Sequence, residues 1–190
     1  MVIPGFVASD RTTLELRRAL AEAGFRVHPW RLGWNLGARA DLIERLKKAV
    51  DLCETDQPVL LVGWSLGGLF ARELARADPK RVRAVVTLGT PIAGDLRQVT
   101  NVWRLYEFVA RHKVDDPPIP NIAEKPPVPT LAIWSRKDGI IAVSSARGSD
   151  ECRDKEVELE SSHMAFAVSR TSARRAAREI LAFLEEREGR

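Results

Sequence analysis

Short apolar runs alternate with amphipathic helical patterns along the 190 residues. That alternation predicts an α/β domain, a parallel sheet covered by helices on both faces. Two further observations support it. The strand-like runs are apolar and their connections short, as in strands buried on both faces. The run Val59-Leu60-Leu61-Val62 passes through Gly63-Trp64-Ser65-Leu66-Gly67 straight into a helical pattern, so a buried strand turns sharply into a helix. The length suits one domain, 1–190, with a full hydrophobic core.

Taken in order, residues 2–4 make a short first strand, followed by a loop through Asp10. Thr12 or Thr13 caps a helix carrying Leu14, Leu16, Leu20 and Ala23, and Gly24 stops it. Residues 25–30 read as a strand, and residues 36–54 as a helix with Leu42, Leu46, Ala49 and Val50 at core spacing. Residues 58–63 form the buried central strand and residues 66–77 the next helix, which Asp78-Pro79 ends. Strands follow over 82–88, 128–135 and 157–159, and a helix over 171–186 closes the chain with Ala177, Ile180, Leu181 and Leu184 on one face. That makes about six parallel strands.

Residues 91–127 break the rhythm. They hold one helical pattern, Val99, Val102, Trp103, Tyr106 and Val109, and then five prolines at 117, 118, 120, 126 and 127. A long excursion between core strands is usually functional or disordered. Its proline-rich half cannot be helix interior and is expected as an extended surface loop. The Trp103/Tyr106 face has two uses open to it, packing on the sheet edge or partly roofing a site.

Composition excludes several classes. The apolar share is 45% and the charged share 29%, ordinary for a soluble globular domain. No apolar run reaches membrane-spanning length, and residues 1–5 show no basic n-region or cleavage site, which predicts a cytoplasmic chain without a transmembrane segment. The net charge of +4 is spread out. Its densest cluster, Arg174-Arg175-Ala176-Ala177-Arg178, reads as the solvated face of a helix, and no aromatic interleaving marks a nucleic-acid groove. Cys53 and Cys152 lack metal-ligand spacing and are expected to be free thiols.

The chemistry concentrates at Gly63-Trp64-Ser65-Leu66-Gly67. A strand-to-helix turn of this pattern strains one serine at its tip, and the glycines let strand and helix backbones approach closely. Ser65 then sits at a helix N-terminus, where free N–H groups favour developing negative charge. The bland alternative is a Gly/Ser loop. A serine hydroxyl needs a positioned base, and the base needs an acid to fix its tautomer. Of the three histidines, His28 lies inside a strand pattern and His112 at the charged end of the excursion helix. His163 follows the last short strand, on the sheet edge that also carries Ser65, and takes the base role. Asp138, directly after the strand over 128–135, takes the acid role. Its Asp-Gly dipeptide would also suit a plain turn, and Asp10 and Asp150 are weaker candidates. The order Ser65, Asp138, His163 fits this architecture. The oxyanion donors are assigned to the backbone N–H groups of Leu66 and Phe6.

Five segments together carry a resemblance. They are Val2-Ile3-Pro4-Gly5-Phe6, Gly63-Trp64-Ser65-Leu66-Gly67-Gly68, Val85-Val86-Thr87-Leu88-Gly89-Thr90-Pro91, Ser135-x-x-Asp138-x-Ile140-Ile141 and Ser162-His163. Over nearly the whole chain the sequence resembles the α/β-hydrolase superfamily, and in particular its small bacterial lipases and lipase-like esterases. The resemblance implies a minimal version of that fold with strand order 2-1-3-4-5-6. Pro4 and Trp64 stand where the family often has histidines, which bears on pocket shape rather than chemistry. The expected activity is hydrolysis of carboxylic esters with an apolar acyl chain, without cofactor or metal, by a chain taken as a monomer. Trp30, Trp34, Trp64, Trp103 and Tyr106 are the candidate pocket residues. Acyl transfer and thioester hydrolysis use the same residues, and a non-catalytic binding module on the same fold is the alternative of another class.

Overall fold

Five parallel strands, β1 (Val2–Ile3), β2 (Val59–Trp64), β3 (Val82–Leu88), β4 (Thr130–Trp134) and β5 (Lys155–Glu158), lie side by side in chain order. They come from a computed structural model that describes residues 1–189. The register pairs Val2 with Val62, Val62 with Val86, Val86 with Leu131 and Leu131 with Lys155. Alternate residues face opposite sides of the sheet, and each side has its own core. Val62, Trp64, Ala84, Val86, Leu88, Leu131 and Ile133 meet helices α1 (Leu14–Glu22), α7 (Ala165–Val168) and α8 (Arg170–Glu188). Ile3, Val59, Leu61, Val82 and Val85 meet α2 (Leu42–Asp51) and α3 (Leu66–Ala77). β5 reads Lys-Glu-Val-Glu, a charged sequence that suits a sheet edge.

The expected strand over 25–30 is absent as a strand, so the sheet has five members and not six. Val2 N donates to His28 O at 2.9 Å and a single bridge joins Val2 to Pro29. The ladder stops there because Pro29 has no N–H. The next two N–H groups, of Trp30 and Arg31, turn instead to the Asp10 carboxylate at 3.1 and 3.2 Å. With that outermost strand removed, the expected order 2-1-3-4-5-6 becomes the one observed. The helix expected over 36–54 starts late, at Leu42. Asn35 holds the preceding segment in a loop, donating to Pro4 O at 2.8 Å and accepting from Gly37 N at 3.2 Å.

The excursion holds two helices in place of one, α4 (Leu96–Val99) and α5 (Trp103–Ala110). Between them Thr100 forms an antiparallel bridge with Ile141, while Ala142 N donates to Val99 O at 2.8 Å. α6 (Val143–Arg147) follows β4. Residues 122–125 are strapped to α3 by arginines. Arg72, fully buried, donates to the carbonyls of Ala123, Glu124 and Cys152 at 2.7, 2.8 and 2.9 Å, and Arg76 reaches those of Ile122 and Lys125 at 3.0 and 3.2 Å. Cys53 and Cys152 are free and buried. Among the described residues no helix is long and apolar enough to cross a membrane.

Candidate active site

The carboxyl ends of β2, β4 and β5 converge, and Ser65, Asp138 and His163 meet there. Ser65 sits between β2 and α3 with φ 53° and ψ −125°, a conformation that non-glycine residues rarely adopt. Its N–H donates to Leu88 O at 2.8 Å and its carbonyl accepts from the Thr90 hydroxyl at 2.8 Å. The turn closes because Gly63 and Gly67 carry no Cβ. One at Gly63 would stand 2.4 Å from the Gly67 carbonyl oxygen, and one at Gly67 2.3 Å from that of Ile3. Strain at a functional turn persists only where surroundings over-determine it, and these contacts do so.

His163 Nε2 lies 2.9 Å from Ser65 Oγ, and His163 Nδ1 lies 2.8 Å from Asp138 Oδ2. The other carboxylate oxygen, Asp138 Oδ1, accepts from the N–H groups of Ile140 and Ile141 at 3.0 and 2.7 Å. With Asp138 ionised, Nδ1 carries the proton and donates it, which leaves Nε2 as acceptor for the serine hydroxyl. Asp138 and His163 are 4% and 5% exposed, so little water competes for either bond. His163 N also donates to Asp138 O at 3.0 Å.

Two residues that the sequence offered for other reasons, Ser135 and Trp64, support this arrangement. Ser135 Oγ accepts from Lys137 N at 3.0 Å and from Ser161 N at 3.1 Å, tying the Asp138 loop to the His163 loop. Trp64 Nε1 donates to His163 O at 3.0 Å, with its ring 5.6 Å from the imidazole. A serine at a strand end before an Asp-Gly turn carries little signal by itself. The weaker acid candidates lie elsewhere. Asp10 is engaged with Trp30 and Arg31, and Asp150 is exposed and pairs with Arg153 at 2.9 Å. Of the other histidines, His112 touches the Tyr106 hydroxyl at 3.3 Å, and burial lowers the pKa of His28.

A largely apolar cleft opens beside Ser65. Phe6 and Leu66, the expected oxyanion donors, line it next to the serine. Leu66 opens α3, so its N–H has no intrahelical acceptor, and neither N–H makes a turn or loop hydrogen bond among the described residues. Trp103 and Tyr106 from α5 also line the cleft, with Phe6 and Tyr106 ring centroids 5.1 Å apart. Burial raises the pKa of Tyr106. Three expected pocket residues are corrected. Trp30 is core, packed beside α2 with its Nε1 donating to Gly33 O, and Trp64 lies beneath the histidine on the far side of the sheet. Trp34 is exposed and lines nothing here.

Comparison with known sequences bears on the fold family. The family described as "alpha/beta hydrolase fold" matches residues 3–113. The chain belongs to the α/β-hydrolase family. Over 74 residues, 39% of its length, it is 36% identical to the lipase LipV of Mycobacterium tuberculosis, and it spans about a quarter (25%) of that relative. Among solved structures, polyneuridine aldehyde esterase superposes with a TM-score of 0.64 at 14% identity, covering 94% of this chain and 97% of the other. The thioesterase domain from the curacin biosynthetic pathway gives 0.64 at 14%, covering 95% and 89%. At such identities the likeness concerns the fold. This α/β-hydrolase keeps the sheet and both helical layers in 190 residues.

Proposed function

We propose that the chain is a serine hydrolase of carboxylic esters with apolar acyl groups. The observation that carries this reading is the chain of two short hydrogen bonds, Ser65 Oγ to His163 Nε2 and His163 Nδ1 to Asp138, at the mouth of an apolar cleft. Ser65 Oγ attacks the ester carbonyl while His163 Nε2 takes its proton. Asp138 orients the imidazole and stabilises the imidazolium that results. The N–H groups of Leu66 and Phe6, which line the cleft beside Ser65, are the donors this reading assigns to the oxyanion. Collapse of the tetrahedral intermediate breaks the ester C–O bond, and His163 delivers its proton to the leaving alcohol. Water, deprotonated by His163 in turn, then releases the acid and regenerates Ser65.

The cleft favours an ester with a hydrocarbon acyl chain because α5 and the proline-rich segment add Val102, Trp103, Pro117 and Ile119 to its walls. A thioester would meet the same nucleophile and wall, and the structural likeness to a thioesterase domain supports keeping that second reading. The test is a panel of p-nitrophenyl esters and acyl thioesters of rising chain length, with Ser65→Ala as control. Turnover of oxygen esters, lost in the control, is expected. Turnover of thioesters alone would move the reading to a thioesterase.

A further inference from the structure

One charged side chain, Glu73, lines the largely apolar cleft beside Ser65. Leu66, Leu69, Phe70 and Glu73 recur at i, i+3, i+4 and i+7 of α3, so a single helical face forms the cleft floor and ends in Glu73. At 1.5 Å per residue Glu73 stands about 10 Å along the axis from Leu66, roughly the reach of an eight-carbon chain. The carboxylate is buried, and burial raises its pKa. Only one oxygen is used within the protein. Oε1 accepts from Arg76 Nε at 3.2 Å and from Ile122 N at 3.5 Å, whereas Oε2 has no hydrogen-bond partner among the described residues. Asn121, next to Ile122 in the chain, also lines the cleft, and its side-chain amide is likewise unpartnered among the described residues.

The unpaired Glu73 oxygen is not sealed from solvent, so a donor carried into the cleft by a ligand takes the place of water there. The geometry points to Glu73 as a specificity-determining residue that receives a hydroxyl at the far end of the acyl chain, an ω-hydroxyacyl group of about eight carbons. A hydroxyl suits the site better than an ammonium on two grounds. It donates to Glu73 and accepts from Asn121 at once. The two guanidiniums beside Glu73, Arg72 and Arg76, already outnumber its single negative charge. This rests on the ester-hydrolase reading, since the acyl chain is placed by attack from Ser65.

The experiment compares p-nitrophenyl 8-hydroxyoctanoate with p-nitrophenyl octanoate on wild type, Glu73→Gln and Glu73→Leu. Wild type is expected to favour the hydroxy ester in kcat/KM. The preference should shrink in Glu73→Gln, which keeps an acceptor, and fall by about tenfold or more in Glu73→Leu, where the hydroxyl is left unpaired. Calorimetric titration of 8-hydroxyoctanoic and octanoic acids reads the same selectivity without chemistry. Hydroxyl-selective binding lost in the variants, with neither ester turned over, would overturn the hydrolase reading and leave Glu73 as a hydroxyl-binding residue only. An equal preference in wild type and both variants would overturn the assignment of Glu73. Tighter binding of 8-aminooctanoate than of the hydroxy acid would overturn the choice of a neutral donor.

Discussion

Gly89→Ala is expected to damage catalysis far more than stability. Gly89 follows β3 with φ +53°, and a Cβ there would stand 2.7 Å from Asp138 Oδ2 and 3.2 Å from His163 Nδ1. The left-handed backbone costs an alanine about 1–2 kcal/mol. In a domain of this size that lowers Tm by about 2–8 °C. The contact acts differently. Ordinary van der Waals distance begins at 3.4 Å, so the carboxylate must retreat by 3.4 − 2.7 = 0.7 Å, at the atom that holds the imidazole. Misplacement on the order of 1 Å costs about a hundredfold in rate, and complete loss of the acid's contribution about ten-thousandfold. The expected kcat/KM on p-nitrophenyl butyrate therefore falls about 10–100-fold while the protein still unfolds cooperatively. Steady-state kinetics and a thermal melt on the same preparation decide it. A lowered Tm with kcat/KM within about twofold of wild type would refute the idea that the Asp138–His163 geometry limits the rate.

Three further outcomes follow from the cleft and its strap. Trp103→Ala should raise KM for the octanoate ester by about tenfold over its effect on acetate, since each buried CH₂ is worth about 0.8 kcal/mol; equal effects at all chain lengths would make α5 a packing element only. Arg72→Met should cost on the order of 3 kcal/mol, because the carbonyls of Ala123, Glu124 and Cys152 lose one charged donor. Limited proteolysis should then cut first within residues 117–125, and an unchanged cleavage pattern would count against the strap. Burial raises the Glu73 pKa in the folded state. The folded protein thus holds that proton at pH values where the unfolded chain has lost it, and stability declines as pH rises from the usual glutamate range through the folded value. Glu73→Gln should flatten that decline in urea melts taken from pH 4 upward, and an identical slope would show that Glu73 does not titrate in this way.

Much of the framework was legible in the sequence because buried parallel strands and the elbow write themselves locally. Val59 to Gly67 contains its strand, its close-approach glycines and its helix start within one window, and α3 and β3 have the bounds read from the pattern. Residues 25–30 misled because five of the six suit a strand by composition, while the outcome hangs on Pro29 and on a carboxylate fifteen or more residues away in sequence, Asp10. The pairing of Ser65, Asp138 and His163 could be expected from chain order at the sheet edge. Trp30 and Trp64 could not be placed, since an aromatic residue reads the same in a core and in a pocket wall. Glu73 and Arg72 escaped notice for a related reason. A Glu or Arg in a helix is ordinarily solvent-facing, and only the packing of residues 117–125 over α3 puts these two inside.

The central claim is that Ser65 is the nucleophile activated by His163. Its most direct test is intact-mass and peptide mapping after a fluorophosphonate probe reacts with the native protein. One adduct is expected, on the peptide that contains Ser65, formed in wild type and absent in Ser65→Ala, with labelling slowed at least about a hundredfold in His163→Ala. An adduct on any other residue, or equal labelling of wild type and Ser65→Ala, would contradict the account.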